Sequence, residues 1–408
     1  MRYITIAKLL GLAWLLLAAF PSRSNAEPCR RCGWSPPEAE APLTVGTLAE
    51  LREALGRAKP GATILLDDGV YVLDRMLDLA VVDLVLRGKS GDRARVVFRG
   101  QGMEERQVGV ALSVSAPRVT LADMTVGAVG SHGVQVRGEQ GADGVVLHNV
   151  RVVDTGQQLL KGSMGEDGRG PHEGLVACSV FEYSNHAPSD YTNGVDVLGG
   201  RGWVVRDTLF RRIRGPQAGG WASGPAVLFW KQSAETTVER NIVIDCYRGI
   251  ALGLEAGQGG PNPFDHRGGL IRNNAVCNLH PWADEGIEAN GAPGVRIEHN
   301  TVLVEGKMPW SISVRFAGSH GRARNNLTNR PLVARNGARL EQQANVTGAR
   351  PDWFDDPGRG SLRLSRGDVP AVDAGVPIPE IRQDLDLRPR VVGDGPDAGA
   401  FEFDPSTD

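Results

Sequence analysis

The amino-acid sequence predicts an all-β solenoid of stacked parallel strands. A repeat motif, consisting of an apolar residue, two variable positions and a small polar residue, recurs every 26–33 residues through the middle of the chain. Each repeat also carries short β-like segments without helical periodicity, which is typical of parallel solenoids. The copies of the motif are Val146–Asn149, Val176–Ser179, Val205–Thr208, Val238–Asn241, Ile271–Asn274 and Ile297–Asn300, with a looser copy ending at Asn326.

Residues 1–26 have the pattern of a secretory signal peptide. Arg2 and Lys8 give a positive start, residues 9–20 are apolar, and Ser24, Asn25 and Ala26 form a small-residue cleavage site. Such a short apolar stretch cannot span a bilayer as a helix. We therefore expect a secreted or periplasmic protein without a membrane anchor, and we expect a monomer.

The composition narrows the range of partners. The chain has 53 glycines, 25 prolines and 6% aromatic residues, which suits a turn-rich all-β fold. A net charge of −3 argues against a nucleic-acid-binding surface, because such a surface requires clustered Lys and Arg. It does not exclude an acidic polysaccharide, since a local basic groove is compatible with near-neutral overall charge.

The cysteines predict one local disulfide. Cys29 and Cys32 follow the cleavage site, and export favours a bond between them. Gly33 stands where a haem-attachment motif requires His. Cys178, Cys246 and Cys277 lie in or beside repeat strands and are expected to be buried free thiols.

The chain divides into a linker at 27–42, a solenoid at 43–345 and a C-terminal cap at 346–408. The solenoid begins with a predicted capping helix, because Thr47 is a suitable N-cap and Leu48, Leu51 and Leu55 follow at helical spacing. A cap is expected because the terminal rung of a solenoid would otherwise expose its core.

Three segments resemble a known group of proteins. The stretch AKPGATILLDDGVYVL (58–73), the Asn-bearing repeats and the ending DLDLRPR…DAGAFEF are similar to those of secreted bacterial right-handed parallel β-helix proteins. The N-terminal third is also distantly similar to β-helix lyases that cleave alginate and chondroitin. The resemblance implies a right-handed parallel β-helix and an extracellular polysaccharide as partner.

The resemblance also implies a site, which this sequence matches incompletely. Those lyases use a Lys base, an Arg on the next rung and acidic calcium ligands. Lys231 matches the base, but the Arg position falls at residues 252–253, which are apolar, and no acid occurs from 216 to 230. Arg248 and Arg315 are the alternative cations. We expect no metal or other cofactor, because the calcium ligands of the family are not matched.

Period-2 alternation predicts an outward face on the repeat strands. Its first row is Gln135, Asp196, Leu228, Ala251, Glu288 and Ser313, and the adjacent row is Arg137, Leu198, Trp230, Gly253, Asn290 and Arg315. This mixture of acid, amide, aromatic and base suits either sugar binding or an ordinary solvated face. We predict Asp196, Trp230, Glu288 and Asn290 as substrate-binding residues. Lys231 shares the parity of Val227 and Phe229, which predicts an inward side chain for it.

Spacing and loops refine these candidates. Asp196 and Glu288 are three rungs apart, roughly 14 Å at ~4.8 Å per rung, whereas glycosidase carboxylates need ~5–9.5 Å. Glu288–Arg315 and Arg248–Glu285 are predicted ion pairs. Long loops are predicted at 162–174, 211–225, 255–269 and 279–285, with Trp221, Trp282 and Trp310 in or just before strands of the outward face. His172 and His266 are further candidates, since both lie beside acids in such loops.

Two classes of function remain open at this stage. The first is a lyase or epimerase that acts on a uronic acid polysaccharide, with Lys231 as base and Arg248 or Arg315 as the cation that stabilises an enolate-like carboxylate. The second is a non-catalytic solenoid that binds glycans or has a structural role at the cell surface.

Overall fold

A computed structural model describes residues 35, 37, 41–257 and 263–404 of the chain. The predicted signal peptide and the predicted Cys29–Cys32 bond lie outside these residues. Within them, the one α-helix, α1 (Leu48–Arg57), begins with the predicted cap: the Thr47 hydroxyl accepts a hydrogen bond from Glu50 N, and the Glu50 carboxylate accepts one from Thr47 N. This reciprocal capping box satisfies two otherwise unpaired N–H groups.

Most β-strands of the described residues stack in parallel as rungs, and the last two pair with each other in an antiparallel arrangement. In chain order they are β1 (Leu43–Val45), β2 (Thr63–Leu66), β3 (Gly69–Val72), β4 (Leu77–Leu79), β5 (Val85–Gly88), β6 (Val96–Arg99), β7 (Val110–Val114), β8 (Thr120–Val129), β9 (His132–Arg137), β10 (Val146–Thr155), β11 (Leu160–Ser163), β12 (Leu175–Ala177), β13 (Val180–Glu182), β14 (Val195–Leu198), β15 (Val204–Arg206), β16 (Leu209–Arg211), β17 (Pro225–Trp230), β18 (Ser233–Ala234), β19 (Thr237–Glu239), β20 (Ile242–Ile244), β21 (Arg248–Leu252), β22 (His266–Arg267), β23 (Leu270–Arg272), β24 (Ala275–Asn278), β25 (Ile287–Asn290), β26 (Pro293–Glu298), β27 (Thr301–Val304), β28 (Ile312–Arg315), β29 (His320–Arg324), β30 (Leu327–Thr328), β31 (Leu332–Arg335), β32 (Arg339–Gln343), β33 (Val346–Thr347), β34 (Phe354–Asp356) and β35 (Ser361–Leu364).

The rungs form three parallel sheets, which makes the fold the predicted right-handed parallel β-helix. Sheet 1 contains β1, β2, β5, β12, β15, β19, β23, β26, β29 and β32, and sheet 2 contains β3, β6, β13, β16, β20, β24, β27, β30 and β33. The long strands β8 and β10 run through both sheets and join them. Sheet 3 contains β4, β7, β9, β11, β14, β17, β21, β25, β28 and β31. The inward side chains of all three sheets form one continuous apolar core.

The corner between sheets 1 and 2 has a constant length. From β12 onward, two residues separate each strand of sheet 1 from the following strand of sheet 2. The first adopts a left-handed conformation with φ of +51° to +55°, as in Cys178, Asp207, Arg240, Asn273, His299, Asn325 and, at +50°, Ala344. From β12 onward the chain therefore turns in the same way at every rung, and differences in loop length there are confined to the two edges of sheet 3. The earlier connection from β5 to β6 is longer, with seven residues (89–95).

The second corner residue of each rung builds a polar ladder inside the helix. Asn274 Oδ1 accepts hydrogen bonds of 3.0 Å from both Asn241 N and Asn241 Nδ2, and Asn300 Oδ1 does the same for Asn274. The ladder continues through Asn326 to Asn345. In the other direction it passes to Thr208 and Ser179, whose hydroxyls replace the amide. These buried groups satisfy one another and the backbone, as buried polar groups must.

The predicted position of Asn149 in this ladder is wrong. The pairing of His148 with Ala177 places Asn149 beside Cys178, so the residue aligned with Ser179 is Val150. Val150 N donates to Ser179 Oγ instead. The cause is that β10 crosses the corner as one continuous strand, with Asn149 itself in the left-handed conformation at φ +53°. Its side chain contacts Asp123 rather than the ladder.

The C-terminal segment folds back along the outer side of sheet 2. Trp353, Phe354, Leu362 and Phe401 pack with residues of β24, β27 and β30 in a second apolar cluster. Residues 373–403 also bond the sheet 1–sheet 2 corner, for example through the 2.9 Å bond from Val376 N to Asn325 Oδ1. The segment covers sheet 2 and leaves the outer side of sheet 3 uncovered.

The cysteines differ from the prediction in one position. Cys246 and Cys277 are buried free thiols, as predicted, and burial raises the pKa of each to about 12. Cys178 is disulfide-bonded rather than free, and neither Cys246 nor Cys277 is its partner. In the described part of the chain, no helix is long and apolar enough to cross a membrane.

Replacing Asn274 with Leu should destabilise the protein by about 1–3 kcal/mol, because the Asn241 N–H and the Val238 carbonyl would lose their partners in the core. The measurement is the free energy of unfolding in urea. The control is Asn185→Leu at an exposed loop position. Equal stability of Asn274→Leu and the control would contradict the role of the ladder.

Candidate functional site

The outer side of sheet 3 carries the predicted polar row. Val195 and Val197 point into the core, and Asp196 lies between them on the outer side. The hydrogen-bonded register aligns the row as Ser113, Gln135, Lys161, Asp196, Leu228, Ala251, Glu288 and Ser313. The predicted alignment from Gln135 to Ser313 is therefore confirmed, with one rung inside this span that was not predicted from the sequence.

Lys161 belongs to the missed rung, in β11. The inward position beside it is Gly162, where a Cβ would lie 2.9 Å from a methyl carbon of Val197. Without an apolar residue at this position the strand shows no alternation. The available signal was the double-length gap between the segments at 133–138 and 194–199.

Lys161, Asp196 and Trp230 form one contact group. Asp196 Oδ2 is 2.6 Å from Lys161 Nζ, and Asp196 Oδ1 accepts a 2.8 Å hydrogen bond from Trp230 Nε1. Burial raises the pKa of Asp196, although Lys161 and Trp230 oppose that shift. Only 1% of Asp196 is exposed. The carboxylate therefore lies beneath the ammonium and the indole and orients both.

Lys231 lies at the edge of sheet 3 rather than in the core. It follows the last residue of β17 with a left-handed φ of +52°, which ends the alternation that predicted an inward side chain. Its Nζ lies 4.7 Å from the centre of the Trp230 ring and 2.6 Å from Glu255 Oε2. The predicted inward orientation is wrong because parity holds only within a strand.

A second contact group surrounds Arg248, the first residue of β21. Its Nε donates a 2.7 Å hydrogen bond to Asp284 Oδ2, and its Nη1 lies 3.7 Å from Glu288 Oε1. Asn290 Nδ2 donates to Glu288 Oε2 at 2.7 Å. Glu288 Oε1 and Asn290 Oδ1 are buried without a hydrogen-bond partner.

The Glu288 carboxyl on this face has an unusually high pKa. Burial is the main cause and the neighbouring Glu285 and Asp284 contribute, so that the pKa is raised to about 7. Arg248 and the hydrogen bond from Asn290 act in the opposite direction. Glu288 is therefore a group that exchanges a proton near neutral pH.

The two predicted ion pairs on this face are wrong. Glu288 lies with Arg248, and Glu285 binds Arg335 at 2.8 Å and accepts a hydrogen bond from Ser313. Arg315 instead lies over the ring of Phe316, and its Nε donates a 3.3 Å hydrogen bond to Asn336. Register fixes which Cα atoms are neighbours, but long side chains reach past the adjacent rung.

The three predicted catalytic residues do not meet at one point. Arg248 pairs with Pro225, six residues before Lys231, so their Cα atoms are about 20 Å apart along the strand direction. Arg315 is three rungs from Trp230, or roughly 14 Å. The geometry instead groups Arg248 with Glu288 and Lys161 with Asp196.

The two histidine candidates lie away from this face. His266 is fully buried in β22, where its Nε2 lies 3.0 Å from Thr236 Oγ1, and burial lowers its pKa to about 3. The prediction of His266 as a surface loop residue is therefore wrong. His172 is half-buried at the end of the loop before β12, and its backbone N–H donates to Asp143.

Aromatic residues line one edge of sheet 3. The loops from sheet 2 to sheet 3 place one aromatic residue before each of five successive strands. These residues are Tyr191, Trp221, Tyr247, Trp282 and Trp310, before β14, β17, β21, β25 and β28 respectively. All five are at least partly exposed. We call them the aromatic wall. Its three tryptophans were predicted from the sequence, whereas its two tyrosines were not.

Comparisons with known proteins bear on the fold. No protein-family model matches the sequence, and no curated protein matches it. Among solved structures, pectate lyase Pel9A has a TM-score of 0.62 and 16% identity over 86% of this chain and 90% of its own. This chain has the fold of that lyase. The predicted resemblance to β-helix polysaccharide lyases is thus confirmed at the level of fold.

Two other lyases match less closely. An alginate lyase from Paenibacillus sp. str. FPU-7 has a TM-score of 0.44 and 12% identity over 76% of this chain and 100% of its own. The PL6 family polysaccharide lyase Pedsa3628 from Pseudopedobacter saltans has a TM-score of 0.41 and 13% identity over 80% and 97%. Within residues 41–257 and 263–404, no group of three or more acidic, His or Cys side chains is arranged to hold a metal ion.

The acidity of Glu288 predicts a pH-dependent stability. Because its pKa is about 7 in the folded protein and 4.5 ordinarily, its contribution is fully present below pH 4.5 and is lost as the pH rises through 7. Glu288→Gln should remove this loss, which is on the order of 3 kcal/mol between pH 5 and pH 8. Urea unfolding at both pH values measures it. Glu305→Gln, at an exposed position, is the control, and an identical loss in wild type and Glu288→Gln would contradict the prediction.

Proposed function

We propose that this protein binds an acidic polysaccharide along the outer side of sheet 3. The proposal rests on one observation: the positive groups of this face are more exposed than the negative groups that pair with them. The side chains of Arg248 and Arg335 are 30% and 22% exposed, whereas those of their partners Asp284, Glu288 and Glu285 are 7% exposed. The face thus presents guanidinium groups to solvent with the carboxylates beneath them.

The dimensions of the face suit a chain-like ligand. The aromatic wall extends over five rungs, which is about 19 Å at ~4.8 Å per rung. Aromatic rings with one open face pack against the apolar faces of sugars while their polar edges stay hydrated. At the opposite edge of sheet 3 lie Lys231, which is paired with Glu255, and Arg315, which adds positive charge.

The fold comparison supports the same substrate class. Pel9A is a pectate lyase, and that protein has this fold over most of both chains. An extracellular polysaccharide is accessible to an exported protein, and the signal-like residues 1–26 are expected to direct that export.

A second candidate function is elimination or epimerisation at a uronic acid sugar. The observation that favours it is Glu288, whose pKa of about 7 and position beside Arg248 suit proton transfer. In this reaction a base removes the proton from C5, and a cation stabilises the charge that develops on the sugar carboxylate. In elimination the electron pair forms the C4–C5 double bond as O4 leaves. In epimerisation a proton returns to the other side of C5.

The contacts of Lys231 favour the binding function over the base role that the sequence predicts for it. Its Nζ lies 2.6 Å from the Glu255 carboxylate and 4.7 Å from the centre of the Trp230 ring. These contacts hold a cation at the edge of sheet 3, where it can bind an anionic sugar. In this proposal Lys231 is a ligand for substrate charge, and Glu288 is the proton carrier if the protein is catalytic.

Binding should depend on the cations of sheet 3. We expect Arg315→Met to weaken binding of polygalacturonate about three- to tenfold, roughly 1 kcal/mol, because this side chain has no carboxylate partner among the described residues and its loss leaves no buried charge. Isothermal titration calorimetry at low and high salt measures the effect.

The matched control is Arg322→Met, which removes an exposed arginine from sheet 1. It should leave the affinity unchanged, and neutral dextran should not bind to either variant. If Arg315→Met and Arg322→Met weaken binding equally, the polysaccharide is attracted by overall charge and the proposed face is wrong.

Catalysis has a direct optical signal. Elimination should raise the ultraviolet absorbance of the unsaturated uronate when wild-type protein is mixed with a panel of acidic polysaccharides. We expect Glu288→Gln to reduce that rate by at least a hundredfold while binding persists, because general acid–base catalysis contributes about this much. Binding without absorbance, and without a change in uronate configuration by NMR, would leave the binding function alone.

A further inference from the structure

One arginine lies between the indole rings of two residues of the aromatic wall. Arg214 is in the loop before β17, and its guanidinium carbon lies 4.4 Å from the centre of the Trp221 ring and 5.5 Å from that of Trp282. The two ring centres are 6.3 Å apart, with the planes inclined at 48°. Cation–π contacts of this kind fix the position of the guanidinium group without neutralising its charge.

Two imidazoles complete the group on its outer sides. The His280 ring stacks on Trp282 at 4.9 Å with the planes 12° apart, and the His186 ring meets the edge of Trp221 at 5.2 Å. His280 is exposed and His186 is half-buried. These rings widen the apolar surface around Arg214 and restrict the motion of both tryptophans.

Arg214 differs from its neighbours in having no acidic partner. The buried Glu182 forms ion pairs with Arg151, Arg211 and Arg212 on this side of the molecule. Asp245 lies 3.5 Å from His280. Arg214 forms no ion pair within the described part of the chain, and its Nε is buried without a hydrogen-bond partner. This edge of sheet 3 therefore carries a guanidinium group that has no acidic partner among the described residues and has an unused donor.

The group adjoins the proposed binding face. Trp282 precedes Asp284, the carboxylate that holds Arg248, by two residues. Trp221 precedes β17 by four residues, on the same edge of sheet 3. A sugar chain that is bound at Arg248 and continues along this edge of sheet 3 therefore contacts Arg214 and the two indoles next.

We infer that Arg214, Trp221 and Trp282 form a subsite for an anionic sugar, with the ring packed on an indole and its anionic group bound by the guanidinium. The inference deepens the proposed function and rests on it, because it defines a substrate class with an acidic substituent on more than one sugar. The planar fork of Arg matches the two oxygens of a uronate carboxylate and also those of a sulfate ester. The shared chemistry is a planar or tetrahedral oxyanion carried by a sugar.

The test uses protein labelled with ¹⁵N at tryptophan, with the indole signals assigned through Trp221→Phe and Trp282→Phe. Tetragalacturonate provides the carboxylate arm, inorganic sulfate the sulfate arm, and maltotetraose the neutral control. We expect saturable shifts of both indole signals with one or both anions and none with maltotetraose. Arg214→Met should lower the affinity at least tenfold, and Arg315→Met should leave the sulfate response unchanged.

The controls separate the subsite from the binding face. Arg214→Lys keeps the charge but not the fork, so we expect it to fold like wild type and to bind the anion with an affinity between those of wild type and Arg214→Met. Unshifted indole signals with both anions, or equal shifts in wild type and Arg214→Met, would overturn the subsite. If the subsite responds while Arg315→Met binds polygalacturonate as wild type does, the subsite stands and the extended face fails. If Arg315→Met weakens polygalacturonate binding but the indole signals do not respond to the anions, the face stands and the subsite fails.

Discussion

The structure depends on one repeated hydrogen bond, the bond from the backbone N–H of one ladder residue to the side chain of the next. Because Asn241, Asn274 and Asn300 each need the neighbouring rung at a fixed height, the corner between sheets 1 and 2 keeps its two-residue length from β12 onward. Variation in chain length is therefore transferred to the loops on either side of sheet 3. The ladder, which contains no functional residue, determines where a binding face can form and which of its edges receive long loops.

On that face the acidic and basic side chains lie at different depths. Asp196, Glu285 and Glu288 occupy the floor, and the longer Lys and Arg side chains extend above them. Burying a carboxylate is unfavourable unless it is paired. Each of these carboxylates has a cationic partner, and two of the partners, Arg248 and Arg335, also reach the surface. The same acids that neutralise the net charge of the face also hold its arginines in place. An acidic ligand then meets cations whose orientation is already fixed, so less conformational entropy is lost on binding.

Sequence alone predicted the fold and the register of the outer row, because period-2 alternation and the Asn-bearing motif repeat once per rung. It failed where a local conformation broke the period. A glycine inside β11 hid Lys161, a left-handed residue turned Lys231 out of its strand, and a continuous β10 displaced Asn149 by one position. The ion pairs could not be predicted from the sequence either. Glu288 pairs with Arg248 rather than with Arg315 because of side-chain conformations that the register does not specify.

The constant two-residue corner has a consequence for how such a molecule changes in evolution or by design. Each rung contacts only its neighbours. A duplicated rung would therefore insert without disturbing the corner and would lengthen the proposed binding face by ~4.8 Å. Loop replacement at the edges of sheet 3 would alter its walls and leave its length unchanged. The length of polymer that the site contacts therefore depends on the number of rungs. Its selectivity for individual sugar units depends on the loops, so the two properties can change independently.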